Sequence, residues 1–230
     1  MNPKLENIFE VPGPRLKLAL CQIATKRWDI EGNHGRVTAS LEEAGERGAH
    51  LAITPECVFH GYAMEKTREA TIARLRECAE TVDGERITAI REIARKHRMA
   101  IVLGFAEAGE SDAVHNSAAV IGPEGNLLQV YRKVHCRTFE HIDFEGGFTP
   151  GDEFACVDLE WDGGATQLRL GTLICFDREI PESVRTLRAL GAQLIACPLA
   201  TDTYPLDRPP NFAENEVVTR VRAAENEVFF

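Results

Sequence analysis

The chain has 230 residues, of which 44% are hydrophobic and 27% charged, and its formal net charge is −10. That apolar share supports one large core and excludes a mainly disordered chain. A surface this acidic repels phosphate backbones, which excludes passive nucleic-acid binding, and no stretch approaches the ~20 apolar residues of a membrane span.

The first fifteen residues, MNPKLENIFEVPGPR, hold charges and prolines but no apolar run of signal-peptide length. They read as a flexible arm, and residues 16–230 read as one domain. KLALCQI (17–23) reads as a buried strand. GNHGRVTASLEEAGERGA (32–49) follows as a helix with Val37, Leu41 and Ala44 on one face. HLAIT (50–54) is the next strand and runs straight into PECVFHGY. Residues 67–80 and 85–98 read as two helices parted by Val82-Asp83-Gly84, with their Arg and Glu on solvated faces. MAIVLGFAE (99–107), HNSAAVIG (115–122) and LLQVYRK (127–133) read as strands. PEGN is a tight turn between the last two, so 115–133 is a hairpin. QLRLGTLIC (167–175) is a strand that ends at a cysteine. PESVRTLRALG (181–191) is a helix stopped by Gly191. QLIACPLA (193–200) is a strand, 211–227 a long helix, and VFF the start of another strand, from which the domain is expected to lack its C-terminal end. Mixing βα units with hairpins predicts an α/β fold with a mixed sheet.

The seven cysteines, Cys21, Cys57, Cys78, Cys136, Cys156, Cys175 and Cys197, are odd in number and none are paired as CxxC. Structural zinc sites usually need such pairs, so these read as free thiols in a reducing cytoplasm.

Three polar residues lie at or just beyond strand ends, where ligands bind in open α/β sheets. Glu56 follows LAIT through Thr54-Pro55, Lys133 closes LLQVYR, and Cys175 closes LRLGTLI. A thiol must become a thiolate to attack, and a carboxylate can take its proton. A fixed ammonium can steady the oxyanion that follows. Each residue alone has a plainer reading: a turn cap for Glu56, a solvated strand end for Lys133, a small buried hydrophobe for Cys175.

Together TPECVFHGY (54–62), VYRKVH (130–135) and GTLICFDREIPES (171–183) resemble the nitrilase superfamily of carbon–nitrogen hydrolases. GFAE (104–107), HNSAAVIGPEG (115–125) and FTPGD (148–152) carry the same likeness, which spans residues 16–230. The resemblance implies a four-layer αββα sandwich with mixed sheets, often paired through helices into a dimer or larger homo-oligomer. It implies Glu56 as general base, Lys133 as oxyanion stabiliser, Cys175 as nucleophile and the Phe176 N–H as a further oxyanion donor. It implies an amidase-type hydrolase of small amide or N-carbamoyl compounds, with no metal or organic cofactor. A second glutamate shortly before FTPG is expected at Glu145, with Glu140 as its competitor.

His60 stands where a small hydroxyl residue is common, Cys136-Arg137 replaces an apolar pair, and CPLAT (197–201) lacks an aromatic. These departures fall at the expected substrate pocket, so His60 is carried as a substrate-facing candidate; Arg178, just after the nucleophile, reads as a structural ion-pair partner or else as a group that binds a substrate carboxylate. Asp177 reads as structural, His135 as a hydrogen-bonding support, and Asn116 as a residue that satisfies backbone groups. The alternatives are a true nitrilase, which would usually place Trp-Glu rather than Phe-Asp after the cysteine, and an isochorismatase-like hydrolase, which would need an Asp earlier than Asp29. A scaffold of the same fold without turnover stands beside them.

Overall fold

Why the chain makes two sheets is visible in which residues alternate. In the computed structural model, which describes residues 15–200 and 212–230, β3 (Ala100–Ala108) and β4 (Val114–Ile121) are buried almost end to end. Ala100 and Val102 of β3 and Ala118 and Val120 of β4 pack into one cluster, with Leu159, Leu168 and Leu170 of a second sheet. Ile101, Leu103, Phe105, Ala119 and Ile121 pack into another, with Val37, Leu41, Ile87 and Ile90 of two helices. A strand covered on both faces reads as a continuous apolar run, and the period of two sends alternate residues to the two layers. Each fully buried Leu or Ile of these layers contributes about 1.5–3 kcal/mol.

The first sheet has the order β1-β2-β3-β4-β5, with β1 (Leu18–Leu20) and β2 (Leu51–Ile53) parallel to one another and β2 parallel to β3. β4 and β5 (Leu127–Arg132) continue it antiparallel, as the expected hairpin. Helices α1 (Ile30–Glu46) and α3 (Glu85–His97) cover its outer face. Helix α2 (Arg68–Cys78) precedes α3, with Thr67 as its N-cap. The second sheet is β6 (Cys156–Trp161), β7 (Thr166–Thr172) and β8 (Leu194–Ala196), the first pair antiparallel and the second parallel. Val184 and Leu187 of α4 (Pro181–Ala189) join its core, and α5 (Phe212–Asn226) lies against α4. The layers are helix, sheet, sheet, helix, as the αββα expectation requires.

Three expectations need correction. The strand expected as buried over 17–23 is shorter, and Leu18 and Leu20 are 42% and 72% exposed. Its pairing explains this: among the described residues β1 is the edge of its sheet and bonds β2 alone. β6 was not anticipated, because CVDLEW carries acidic residues on its outward face and looks like a loop. The strand expected to end at Cys175 stops at Thr172, and Cys175 opens a one-turn 3-10 helix, Cys175–Glu179. The N-terminal arm lies outside the described residues except for Arg15.

Candidate active site

The loops that leave the C-terminal ends of β2, β7 and β8 meet at one place. Glu56 is delivered there because the chain after β2 crosses β3 at Gly104. A Cβ on Gly104 would lie 2.4 Å from Pro55 O and 2.9 Å from the Glu56 Cα, so no other residue allows the crossing. Lys133 follows β5, and its N–H bonds the Asn116 carbonyl of β4 at 2.8 Å. Cys175 is buried at φ 47°, a left-handed conformation that a non-glycine residue adopts at a cost of about 1–3 kcal/mol. Its turn is held by Asp177, whose Oδ2 accepts from Tyr131 OH at 2.7 Å and from Ile174 N at 3.1 Å. The other Asp177 oxygen accepts from His135 N at 2.8 Å, and His135 Nδ1 lies 3.0 Å from it. Both the structural reading of Asp177 and the supporting role of His135 match this arrangement.

Lys133 Nζ donates to Glu56 Oε1 at 2.7 Å and to both oxygens of Glu140 at 2.8 and 2.9 Å. All three side chains are sealed from solvent. Glu140 also accepts from the Arg137 N–H at 2.9 Å, and Glu56 Oε2 accepts from the Ala200 N–H at 3.1 Å. Glu145, the expected second carboxylate, is exposed on the far side of the same loop. The loop explains the difference. Phe148 N bonds Glu140 O at 2.9 Å, and Gly146 packs so closely on Glu140 that a Cβ there would meet its carbonyl at 2.0 Å. This closure turns Glu140 inward and leaves Glu145 at the tip.

One ammonium thus faces two buried carboxylates. Burial pushes the Glu56 carboxyl up; Lys133 opposes this and Glu140 adds to it. Burial works against the charge of Lys133, yet Glu56, Cys175 and Glu140 outweigh it and hold its ammonium well above the usual lysine range. Burial likewise raises the Cys175 thiol well above the usual cysteine range, reinforced by Glu56 and opposed by Lys133. Burial thus favours the neutral thiol of Cys175, while its acidic neighbours hold Lys133 as an ammonium.

The remaining candidates divide. Arg178 is buried, and its Nη1 donates to the Cys175 carbonyl at 3.0 Å, so it braces the turn of which Cys175 is the first residue. Phe176 is half-buried beneath the Arg137 guanidinium, 4.5 Å from its ring centroid, and Arg137 in turn bonds Glu179 at 2.7 Å. His60 does not reach the cluster. It is buried, its ring stacked on Trp28 at 5.4 Å and tilted against Phe148 at 6.1 Å, and burial drives its pKa down to about 3. The substrate-facing expectation for His60 is thus corrected: its side chain points into the aromatic layer rather than to solvent. Asn116 was read as satisfying backbone groups, but its side chain bonds Glu56 at 2.7 Å and Glu140 at 3.2 Å. Only its position on a strand next to β5 could have hinted at this. A cleft of about 870 Å³ opens on Glu56 and Tyr62 and is also lined by Thr25, Arg27, Cys197 and Ala200.

The Carbon-nitrogen hydrolase family model matches residues 17–230. A protein of Pyrococcus abyssi named a nitrilase is 35% identical over 208 residues, covering 89% of this chain and 73% of its own length. An (R)-stereoselective amidase of Pseudomonas sp. is 32% identical over 93% of this chain and 69% of its own. Among solved structures, a variant of an amidase from Nesterenkonia AN1, of the nitrilase superfamily, superposes with a TM-score of 0.74 at 27% identity, covering 94% of this chain and 75% of that one. Another form of that amidase carries the acetamide moiety of fluoroacetamide on its active-site cysteine; its TM-score is 0.71 at 25% identity, over 95% of this chain and 75% of that one. With a family match over nearly the whole chain, the layered fold and a buried Glu–Lys pair beside a cysteine turn, the chain belongs to the carbon–nitrogen hydrolase family.

Proposed function

We propose that this chain hydrolyses the C–N bond of a small carboxamide or N-carbamoyl compound through a thioester on Cys175. The observation that carries this is Lys133 Nζ bridging Glu56 and Glu140, sealed from water, beside a cysteine held in a left-handed turn. Cys175 Sγ attacks the carbonyl carbon as its proton passes to Glu56. The tetrahedral oxyanion is met by Lys133 Nζ and the Phe176 N–H, fixed donors in a dry site. Collapse breaks the C–N bond, and the nitrogen leaves with the proton that Glu56 held. Water then gives a proton to Glu56 and attacks the thioester, and the thiol regains that proton as the acid departs. Glu140 supplies the second fixed negative charge on Lys133 and orients it. Amidase-named relatives and the covalent cysteine adduct of a similar structure support an amide substrate.

Two further assignments belong to the same reading. Exposed Val217 and Val221 on α5, with Leu190 at the end of α4, support a homodimer or larger assembly joined through these helices. Seven free thiols support the cytoplasm. The chemistry is tested by ammonia release across a panel of amides, N-carbamoyl compounds and nitriles, with intact mass read during turnover. Turnover of an amide or carbamoyl compound with an acyl adduct on Cys175 is expected. Nitrile-only turnover would move the assignment to a nitrilase, and a mass that never changes with any substrate would leave a scaffold.

A further inference from the structure

Four side chains close into a hydrogen-bonded ring beside Cys175. Lys133 Nζ lies 2.7 Å from Glu56 Oε1 and 2.8 Å from Glu140 Oε1, and Asn116 Nδ2 reaches the same two oxygens at 2.7 and 3.2 Å. Asn116 is fully buried. Ionised carboxylates only accept, so the amide must turn its NH2 toward them. The far end agrees, because Cys57 Sγ donates to Asn116 Oδ1 at 3.3 Å. Burial raises the Cys57 thiol well above its ordinary range, which keeps it a donor.

An oxygen of a carboxylate offers about two acceptor directions. On Glu56 Oε1 both are taken, by the ammonium and the amide. Among the described residues, Glu56 Oε2 accepts from the Ala200 N–H, at 3.1 Å. We propose that Asn116 is a positioning residue: with Lys133 it fills Glu56 Oε1, and so directs the Cys175 proton to Glu56 Oε2. This rests on the reading of Glu56 as the base. In the step, the S–H bond breaks as an O–H bond forms on Oε2, the sulfur pair bonds the carbonyl carbon, and the proton later leaves with the amine. Without the amide, Oε1 regains an open acceptor direction, and the carboxylate loses a donor that favours its charged form.

The test is the pH dependence of kcat/KM, whose acidic limb reports the base in the free enzyme. In Asn116→Leu the limb is expected to rise by about one pH unit, a roughly tenfold loss at a pH on the limb that is recovered at higher pH. Cys57→Ala frees the amide to turn and is expected to shift the limb the same way by less, while Cys57→Ser keeps a donor and restores it. A limb in Asn116→Leu that coincides with wild type, or a loss equal at every pH, overturns the proposal. Should Asn116→Leu show no cooperative melt, the Cys57 pair decides: identical profiles for Cys57→Ala and Cys57→Ser also overturn it. Glu56→Gln separates the two readings. If it turns over substrate, the base assignment has failed; if it is inert while the Asn116→Leu limb stays in place, only the role of Asn116 has failed.

Discussion

Replacing Lys133 with Met keeps the length of the side chain and removes the ammonium that the two buried carboxylates share. Lys133, Glu56 and Glu140 each have a fully buried side chain, so water cannot take the place of the ammonium. Breaking a buried pair by deleting one partner costs about 3–5 kcal/mol, because a charge stays behind unpaired. For a chain of this size that is roughly 6–20 °C in Tm, at about 2–4 °C per kcal/mol. The sign with pH follows from Glu56. Its folded pKa already lies above the ordinary carboxyl value because of burial and Glu140, and Lys133 is the chief group opposing this. Without Lys133 the rise is larger. A raised folded pKa gives stability that is fully present below the unfolded value of about 4.3 and is lost as pH climbs through the folded value. The melting gap between wild type and Lys133→Met should therefore be small near pH 4.5 and widen toward pH 8. Lys133→Met/Glu140→Gln removes one of the stranded charges and should recover part of the loss, a coupling readable in a double-mutant cycle. Melts at pH 8 that match wild type, or a gap that narrows as pH rises, would refute a shared buried ammonium.

Other substitutions probe the site more directly. Cys175→Ala should melt like wild type and lose several orders of magnitude in turnover, measured in a preparation free of contaminating hydrolase. Glu140→Gln should cost roughly a hundredfold or more in kcat and Glu145→Gln less than about twofold; equal losses would undo the inward placement of Glu140. Asp177→Ala strands the Tyr131 hydroxyl and the Ile174 and His135 N–H groups, so a loss of about 2–5 kcal/mol is expected in chemical denaturation. Val221→Asp, on the exposed face of α5, should lower the mass seen by light scattering if that helix joins two copies.

The contrast between Glu56 and Glu140 shows what a sequence can and cannot carry. Glu56, Lys133 and Cys175 drew notice because apolar runs placed them at or near strand ends, and the likeness of their three motifs to the nitrilase superfamily implied their roles. The hairpin 115–133 and the helices α1, α3 and α4 were legible through strong periodicity and clear turn residues. Glu140 and Glu145 lie within one loop, where no period distinguishes inside from outside. What selects Glu140 is the backbone closure at Gly146 and the Phe148 N–H on its carbonyl, contacts that exist only after the loop has folded. His60 misled for a related reason: it is a polar residue inside a motif, but it points into an aromatic layer. Arg178, read as structural or as substrate-facing, turns back onto the Cys175 carbonyl, which fits the structural reading. Asn116 was the hardest to see. It sits opposite Ala106 in the run His115-Asn116-Ser117, where polar residues in succession look like an exposed strand end. It points inward because β4 lies between the strand before Lys133 and the loop that carries Glu56, so only an amide there can donate to both carboxylates. A fully buried polar residue in a central strand is thus a stronger sign of a nearby charged site than a polar residue beside a motif, since burial without partners would cost too much for the strand to keep it.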